Sequence, residues 1–185
     1  LKELARKQLE VSEQFSPEIT SEMKGIAKGA EVSLEDIVIL NNYTDFRDIP
    51  LPDEGCSTLH VRNEADEALV GQTWDMHKRA KNYVCIINVP KTDSDPAQVL
   101  FSLVGCVGMM GFNSNNLMIG VNNLNTKNAK ASIIWPILIR KALLSKSYQQ
   151  LETIISSAPI TSGHNYQISS QSHGSQWEVT PLEKE

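Results

Sequence analysis

Cys56 follows Gly55 directly and opens the β-type run Ser57-Thr58-Leu59-His60; the strand-like Ala68-Leu69-Val70-Gly71-Gln72-Thr73-Trp74-Asp75 answers it further along the chain. A thiol is a strong acyl-group nucleophile once a neighbouring base takes its proton. Glycine is the residue that most readily adopts strained backbone geometry, so Gly55 can leave its carbonyl open to attack by the thiol beside it. The bland alternative is that Cys56 is a small buried hydrophobe, as unpaired cysteines commonly are. Its place at the mouth of a first strand, after a stretch of turn-forming residues, favours the nucleophile.

Other residues carry weaker signals. Asp75 ends the second strand-like run, where a carboxylate can simply close a turn; Gln72 and Trp74 precede it on the same run. Asn122 and Asn123 end an otherwise apolar strand, where asparagine is disfavoured and needs a reason. His60, His77, His164 and His173 show no helical i, i+3 or i, i+4 pairing, so no metal site is expected. Cys85 and Cys106 fall inside apolar strands and read as core, and Gly105-Cys106-Val107-Gly108 has too few glycines for a phosphate loop.

The elements that must position these residues follow from hydrophobic spacing. Leu1 to Phe15 has helical periodicity; Ser16-Pro17-Glu18 starts a second helix running to about Gly29, with Ser16 as capping hydroxyl. Ser33-Leu34-Glu35-Asp36 starts a third, a capping box with Asp in place of Glu. Asn41 to Glu54 is rich in Asp and Pro and reads as an exposed linker. Beyond it the period changes to two, giving hairpins over 58–62 with 68–74, 83–89 with 98–104, and 109–113 with 117–122. Helices over 133–144 and 147–157 and a last hairpin over 166–170 with 176–180 complete the chain. The order predicts an α+β layered fold built on antiparallel sheet.

At 185 residues the chain suits one domain, burying about 70% of its unfolded surface. A formal charge of −5 with no large basic cluster argues against a nucleic-acid partner. No apolar run approaches the ~20 residues needed to cross a bilayer, so a soluble protein with no membrane partner is expected. Three cysteines without C-x-x-C spacing indicate neither a disulfide framework nor structural zinc, which suits a reducing, cytoplasmic setting.

Gly55-Cys56-Ser57-Thr58, Gly71-Gln72-Thr73-Trp74-Asp75, Gly111-Phe112-Asn113-Ser114-Asn115-Asn116-Leu117 with Gly120-Val121-Asn122-Asn123, and Gly163-His164-Asn165-Tyr166 together resemble the autoproteolytic N-terminal-nucleophile (Ntn) acyltransferases and amidohydrolases. Within these, the chain is most similar to the acyl-coenzyme A:6-aminopenicillanic acid acyltransferases and the β-alanyl-amine (carcinine-type) hydrolases. The resemblance implies a four-layer αββα sandwich, with 1–55 as a helical segment ending in the linker and 56–185 as the Ntn segment of one structural domain. It implies cleavage between Gly55 and Cys56, after which the freed α-amine, titrating near pH 8, is the base for the thiol. It places Asp75 beside that amine, gives Asn122 an oxyanion-hole role, and sets Gln72 and Trp74 near the substrate. The substrate would be a small acyl-amide or acyl-coenzyme A, the cleaved chains would stay associated, and no metal or redox cofactor is needed. Because the resembled proteins are longer at both ends, a fragment is expected. Two rival readings remain: a non-catalytic remnant of the fold serving as a binding module, and an uncut Cys-His hydrolase using His60 or His164.

Overall fold

The computed structural model describes residues 1–42, 44–45, 55–65 and 67–185. Three helices come first: α1 (Lys2–Phe15), α2 (Pro17–Gly29) and α3 (Leu34–Asn41). Ser33 caps α3 as its spacing predicts, its hydroxyl accepting from Asp36 N at 3.3 Å. The Asp36 carboxylate reaches back to that hydroxyl. Ser16 precedes α2, but its hydroxyl donates to Glu18 Oε1 at 2.8 Å and caps no backbone N–H. Proline at the first helical position makes that cap less necessary, since it removes one of the unpaired donors.

Two antiparallel sheets follow. Strands β1 (Thr58–Arg62) and β2 (Ala68–Gln72) form a two-stranded sheet. The other six form a meander in the order β3 (Val84–Val89), β4 (Gln98–Leu103), β5 (Met110–Asn113), β6 (Met118–Leu124), β7 (Gly163–Ser169) and β8 (Gly174–Val179). Each expected hairpin is present, with ends shifted by one to three residues. A 3₁₀ turn at Lys78–Tyr83, for which the sequence gives no apolar period, joins the two sheets.

Period-two alternation sorts the large sheet into two faces. Ile119 and Val121 pair with Ile168 and Tyr166, and with Leu100 they form a core under α4 (Trp135–Ala142) and α5 (Tyr148–Ser157). The intervening pairs, Gly120 with Gln167 and Asn122 with Asn165, face the other way, where the β1–β2 hairpin lies across the sheet. The result is a helical layer, a six-stranded sheet and a two-stranded sheet. On the far side of the hairpin Leu59, Val61 and Leu69 are 54%, 48% and 69% exposed, and no helix covers them among the described residues. Nor is any described helix long and apolar enough to cross a membrane.

The first three helices form a second core, in which Ile19, Met23, Ile37 and Val38 pack against Ile134 at the N-cap of α4, against Ile137 within it and against Val107. Arg140, nearly fully buried, ties the two parts together: it donates to Glu22 Oε1 at 2.8 Å and Oε2 at 2.9 Å, to Gln98 Oε1 at 3.0 Å and to Val107 O at 2.5 Å. The expectation of an exposed linker from Asn41 to Glu54 needs correction at its start. Asn41 and Asn42 are buried, because Asn41 accepts from Val107 N at 2.9 Å and donates to Gly105 O at 3.1 Å. The Asp45 side chain is also buried; residues 46–54, the rest of the expected linker, lie outside the described residues.

Removing a buried charged hydrogen-bond partner strands the groups it served. Arg140→Ala is therefore expected to cost about 3 kcal/mol or more, read as a fall in the urea midpoint with little change in the slope.

Candidate active site

Pairing of the hairpin continues past β1 and β2 in the same register. Thr58 faces Gln72; Thr73 N donates to Ser57 O and Asp75 N to Gly55 O, both at 2.9 Å. That ladder sets Cys56 opposite Trp74. Side chains two apart on a strand share a face, so Cys56 lies on the side of Thr58 and His60, which meet the large sheet. Cys56 is half-buried, and the Asp75 carboxylate lies next to Gly55: a Cβ on Gly55 would sit 3.9 Å from Asp75 Oδ2.

The ladder holds the Gly55 carbonyl on the Asp75 N–H.

Gln72 fastens the hairpin to the sheet. β5 pairs with β6 at Phe112–Met118 and Gly111–Ile119, so beyond Ile119 the β5-side edge of β6 lacks a strand. The Gln72 amide takes that place, donating to Val121 O at 2.6 Å and accepting from Val121 N at 2.9 Å. Close approach requires Gly120, where a Cβ would come within 2.7 Å of Gln72 Oε1. Next to this clamp, Thr58 Oγ1 donates to Asn122 Oδ1 at 3.1 Å. Both ends of the Gln72 amide are thus engaged by the protein, and its stem lines a groove.

The groove has a volume of about 730 Å³ and is walled by Trp74, Ile86, Phe101, Met110, Phe112 and Met118, with Lys78 and Lys81 of the 3₁₀ turn also lining it. Trp74 packs edge-on against Phe101, their ring centroids 5.4 Å apart. This apolar wall belongs to the open face of the sheet beside the hairpin. The loop Lys91 to Ala97 contributes nothing to it.

Neither histidine of the Cys-His reading is placed for it. His60 is four residues from Cys56 on one strand, about 13 Å away, and its ring rests on β8, where a Cβ on Gly174 would lie 2.1 Å from His60 Nδ1. His164 faces the helices, its Nε2 3.3 Å from Asp45 Oδ1, with both side chains almost fully buried. Trp135 and Tyr166 flank its ring at 5.8 Å and 5.6 Å. Burial, and secondarily the Asp45 charge, hold the Tyr166 phenol well above its usual range. No group of three or more His, Cys, Asp or Glu side chains suited to a metal ion occurs among the described residues. Cys85 is half-buried, not fully in the core, whereas Cys106 is buried. Burial first, then Cys85, push the Cys106 thiol up to about 12.

Sequence reasoning missed Asn165, which donates from Nδ2 to Asn122 Oδ1 at 3.0 Å and to Gln176 Oε1 at 3.1 Å. The signal was available in β7, where Asn165, Gln167 and Ser169 alternate with Tyr166 and Ile168 and mark a polar inner face.

No family model matches the chain. Over 126 residues it is 31% identical to the 40 kDa form of the acyl-coenzyme A:6-aminopenicillanic-acid-acyltransferase of Emericella nidulans. The match takes in 68% of this chain but only 35% of the relative, so the chain aligns with about a third of that protein. The two are related by sequence.

Two outcomes are expected from this geometry. Gln72→Leu should leave Val121 N–H and C=O unpaired, costing about 1–3 kcal/mol, with amide exchange speeding up first in β1 and β2. Iodoacetamide at pH 8 should label Cys56 well before Cys106, because a thiol at about 12 is almost wholly protonated there; peptide mapping reads the order.

Proposed function

We propose that this chain carries the nucleophile of a cysteine Ntn acyltransferase or amidohydrolase, acting through a thioester on Cys56. The observation that carries the reading is the ladder around Gly55 and Cys56, which brings the Asp75 N–H to the Gly55 carbonyl and the Asp75 carboxylate to the same peptide. The relationship to an acyltransferase supports it.

In the maturation step Cys56 Sγ attacks the Gly55 carbonyl carbon, and the Gly55–Cys56 C–N bond breaks as its nitrogen takes the thiol proton. The Asp75 N–H, 2.9 Å from the carbonyl oxygen in the uncut chain, steadies negative charge as it develops there. Water then hydrolyses the thioester, leaving a Gly55 carboxylate and a free α-amine on Cys56. In turnover that amine takes the thiol proton, and Sγ attacks the acyl donor. Asn122 Nδ2 donates to the oxyanion, and the leaving thiol or amine departs with the proton. Water or an amine acceptor then releases the acyl group. The Asp75 carboxylate stabilises the ammonium form of the base. The apolar groove beside Trp74 suits a hydrophobic acyl group, and coenzyme A enters only as its carrier.

The cut chains stay together in this reading, because 1–55 is held to 56–185 by packing and hydrogen bonds that do not need the peptide bond. Gln8 Nε2 donates to Thr161 Oγ1 at 3.1 Å and Trp135 Nε1 to Thr44 Oγ1 at 3.2 Å, in addition to the Arg140–Glu22 pair. The apolar outer face of the hairpin is where the fourth, helical layer of an αββα sandwich would pack. A second reading is a non-catalytic module of the same fold, in which the Gly55 carbonyl stays paired with the Asp75 N–H and the peptide bond is not cut.

Denaturing mass spectrometry of the whole protein is expected to find a new N-terminus at Cys56, absent in Cys56→Ala; an uncut wild-type chain after long incubation would favour the module. Asp75→Asn should fold, turn over at least tenfold more slowly, and lower the apparent pKa of the amine in the pH–rate profile, since the charge that favours the ammonium is gone.

A further inference from the structure

We infer that Asn165 is a positioning residue that fixes which end of the Asn122 amide meets the reacting carbonyl; this rests on the acyl-transfer reading above. An asparagine amide has two ends of nearly equal size, and only the NH₂ end can stabilise an oxyanion. The carbonyl end would repel it. A site that uses such a side chain therefore needs something to choose the end.

The polar layer under the hairpin makes that choice. Asn122 Oδ1 accepts from Thr58 Oγ1 at 3.1 Å and from Asn165 Nδ2 at 3.0 Å, which fills both its lone pairs. Asn165 Nδ2 spends its second hydrogen on Gln176 Oε1 at 3.1 Å. Turning the Asn122 amide over would set its NH₂ against the NH₂ of Asn165, inside a layer where Asn165 is only 8% exposed. Asn122 Nδ2 itself donates to no described residue, so it is the end left over for a ligand on the side of Thr58 and Cys56. This orientation leaves Asn165 Oδ1 buried without a hydrogen-bond partner among the described residues, a cost set against the two bonds made by Asn165 Nδ2. Asn165 does not line the groove, and its side-chain bonds go to Asn122 and Gln176, so its effect on chemistry passes through Asn122.

Asn165→Asp tests this with almost no change of shape. A carboxylate only accepts, so Asn122 and Gln176 are expected to turn their NH₂ groups toward it, and Asn122 then presents Oδ1 to the oxyanion. With p-nitrophenyl octanoate as acyl donor and the whole processed protein, kcat per Cys56 competent for acylation should fall about 100-fold, with KM within about twofold. Thr58→Val combined with Asn165→Ala, which removes both donors without adding charge, should also lower kcat by at least tenfold, and it serves if Asn165→Asp does not fold. The deciding readout is a double-mutant cycle. In an Asn122→Ala background, Asn165→Asp should lower kcat no further, because the residue it acts through is gone. A full further loss there would make Asn165 a structural residue and overturn the inference, as would Asn122→Ala losing kcat while both Asn165 variants keep theirs. If Asn122→Ala keeps wild-type kcat, or wild-type protein takes no acyl group on Cys56, the underlying assignment fails instead.

Discussion

The bond pair between the Gln72 amide and the backbone of Val121 holds the candidate site to the rest of the molecule. A two-stranded sheet is marginal alone and must rest on something larger. Here the contact is a side chain acting as a strand, filling the gap left where β5 stops short of β6. Everything around Cys56 follows from it. The register of the hairpin carries Gly55 to Asp75, and the same docking carries Thr58 to Asn122. A single residue without a side chain, Gly120, lets the two layers come close enough for both.

The hairpin is also turned against its own amphipathicity. Its apolar residues Leu59, Val61 and Leu69 face out, and Thr58, His60 and Gln72 face the sheet. Period-two alternation therefore located the strands correctly from sequence and said nothing about which face meets the core, because the usual assumption that the apolar side is inward fails here. The inner face is polar on the large sheet as well, where Asn122 and Asn165 bond to each other, to Thr58 and to Gln176, and Gln167 and Ser169 lie beside them. Such a layer specifies one arrangement of the two sheets more strictly than apolar contact would, since each mismatch strands a polar atom.

How much was legible follows the range of each interaction. Helix starts at Pro17 and Ser33 and the strand pairs are set by neighbours in the chain, and they could be read with small errors at their ends. Cys56, Asp75 and Asn122 were legible as candidates through their order along the chain, and the structure sets the three along one ladder and its docking contact; their roles remain the proposal made above. What could not be read lies in contacts between distant residues. The pairing of Asp45 with His164 spans more than a hundred positions, and Asp45 sat in a stretch whose composition indicated a solvated linker. The groove beside Trp74 could not be read for the same cause: its wall is assembled from β2, β3, β4, β5 and β6, and no single stretch of sequence carries its shape.

Tyr166 gives the buried Asp45–His164 region an optical property. A phenol sealed away from water and beside a carboxylate keeps its proton long after exposed tyrosines have lost theirs. In an alkaline absorbance titration the folded protein therefore shows the phenolate band of its other tyrosines first, and that of Tyr166 emerges as the core opens. The unfolded chain releases the same proton near pH 10, so above that value the unfolded state binds fewer protons than the folded one and stability declines as the pH climbs. The ring that stacks on His164 thus serves as an intrinsic absorbance reporter of whether the helical layer is still closed over the sheet.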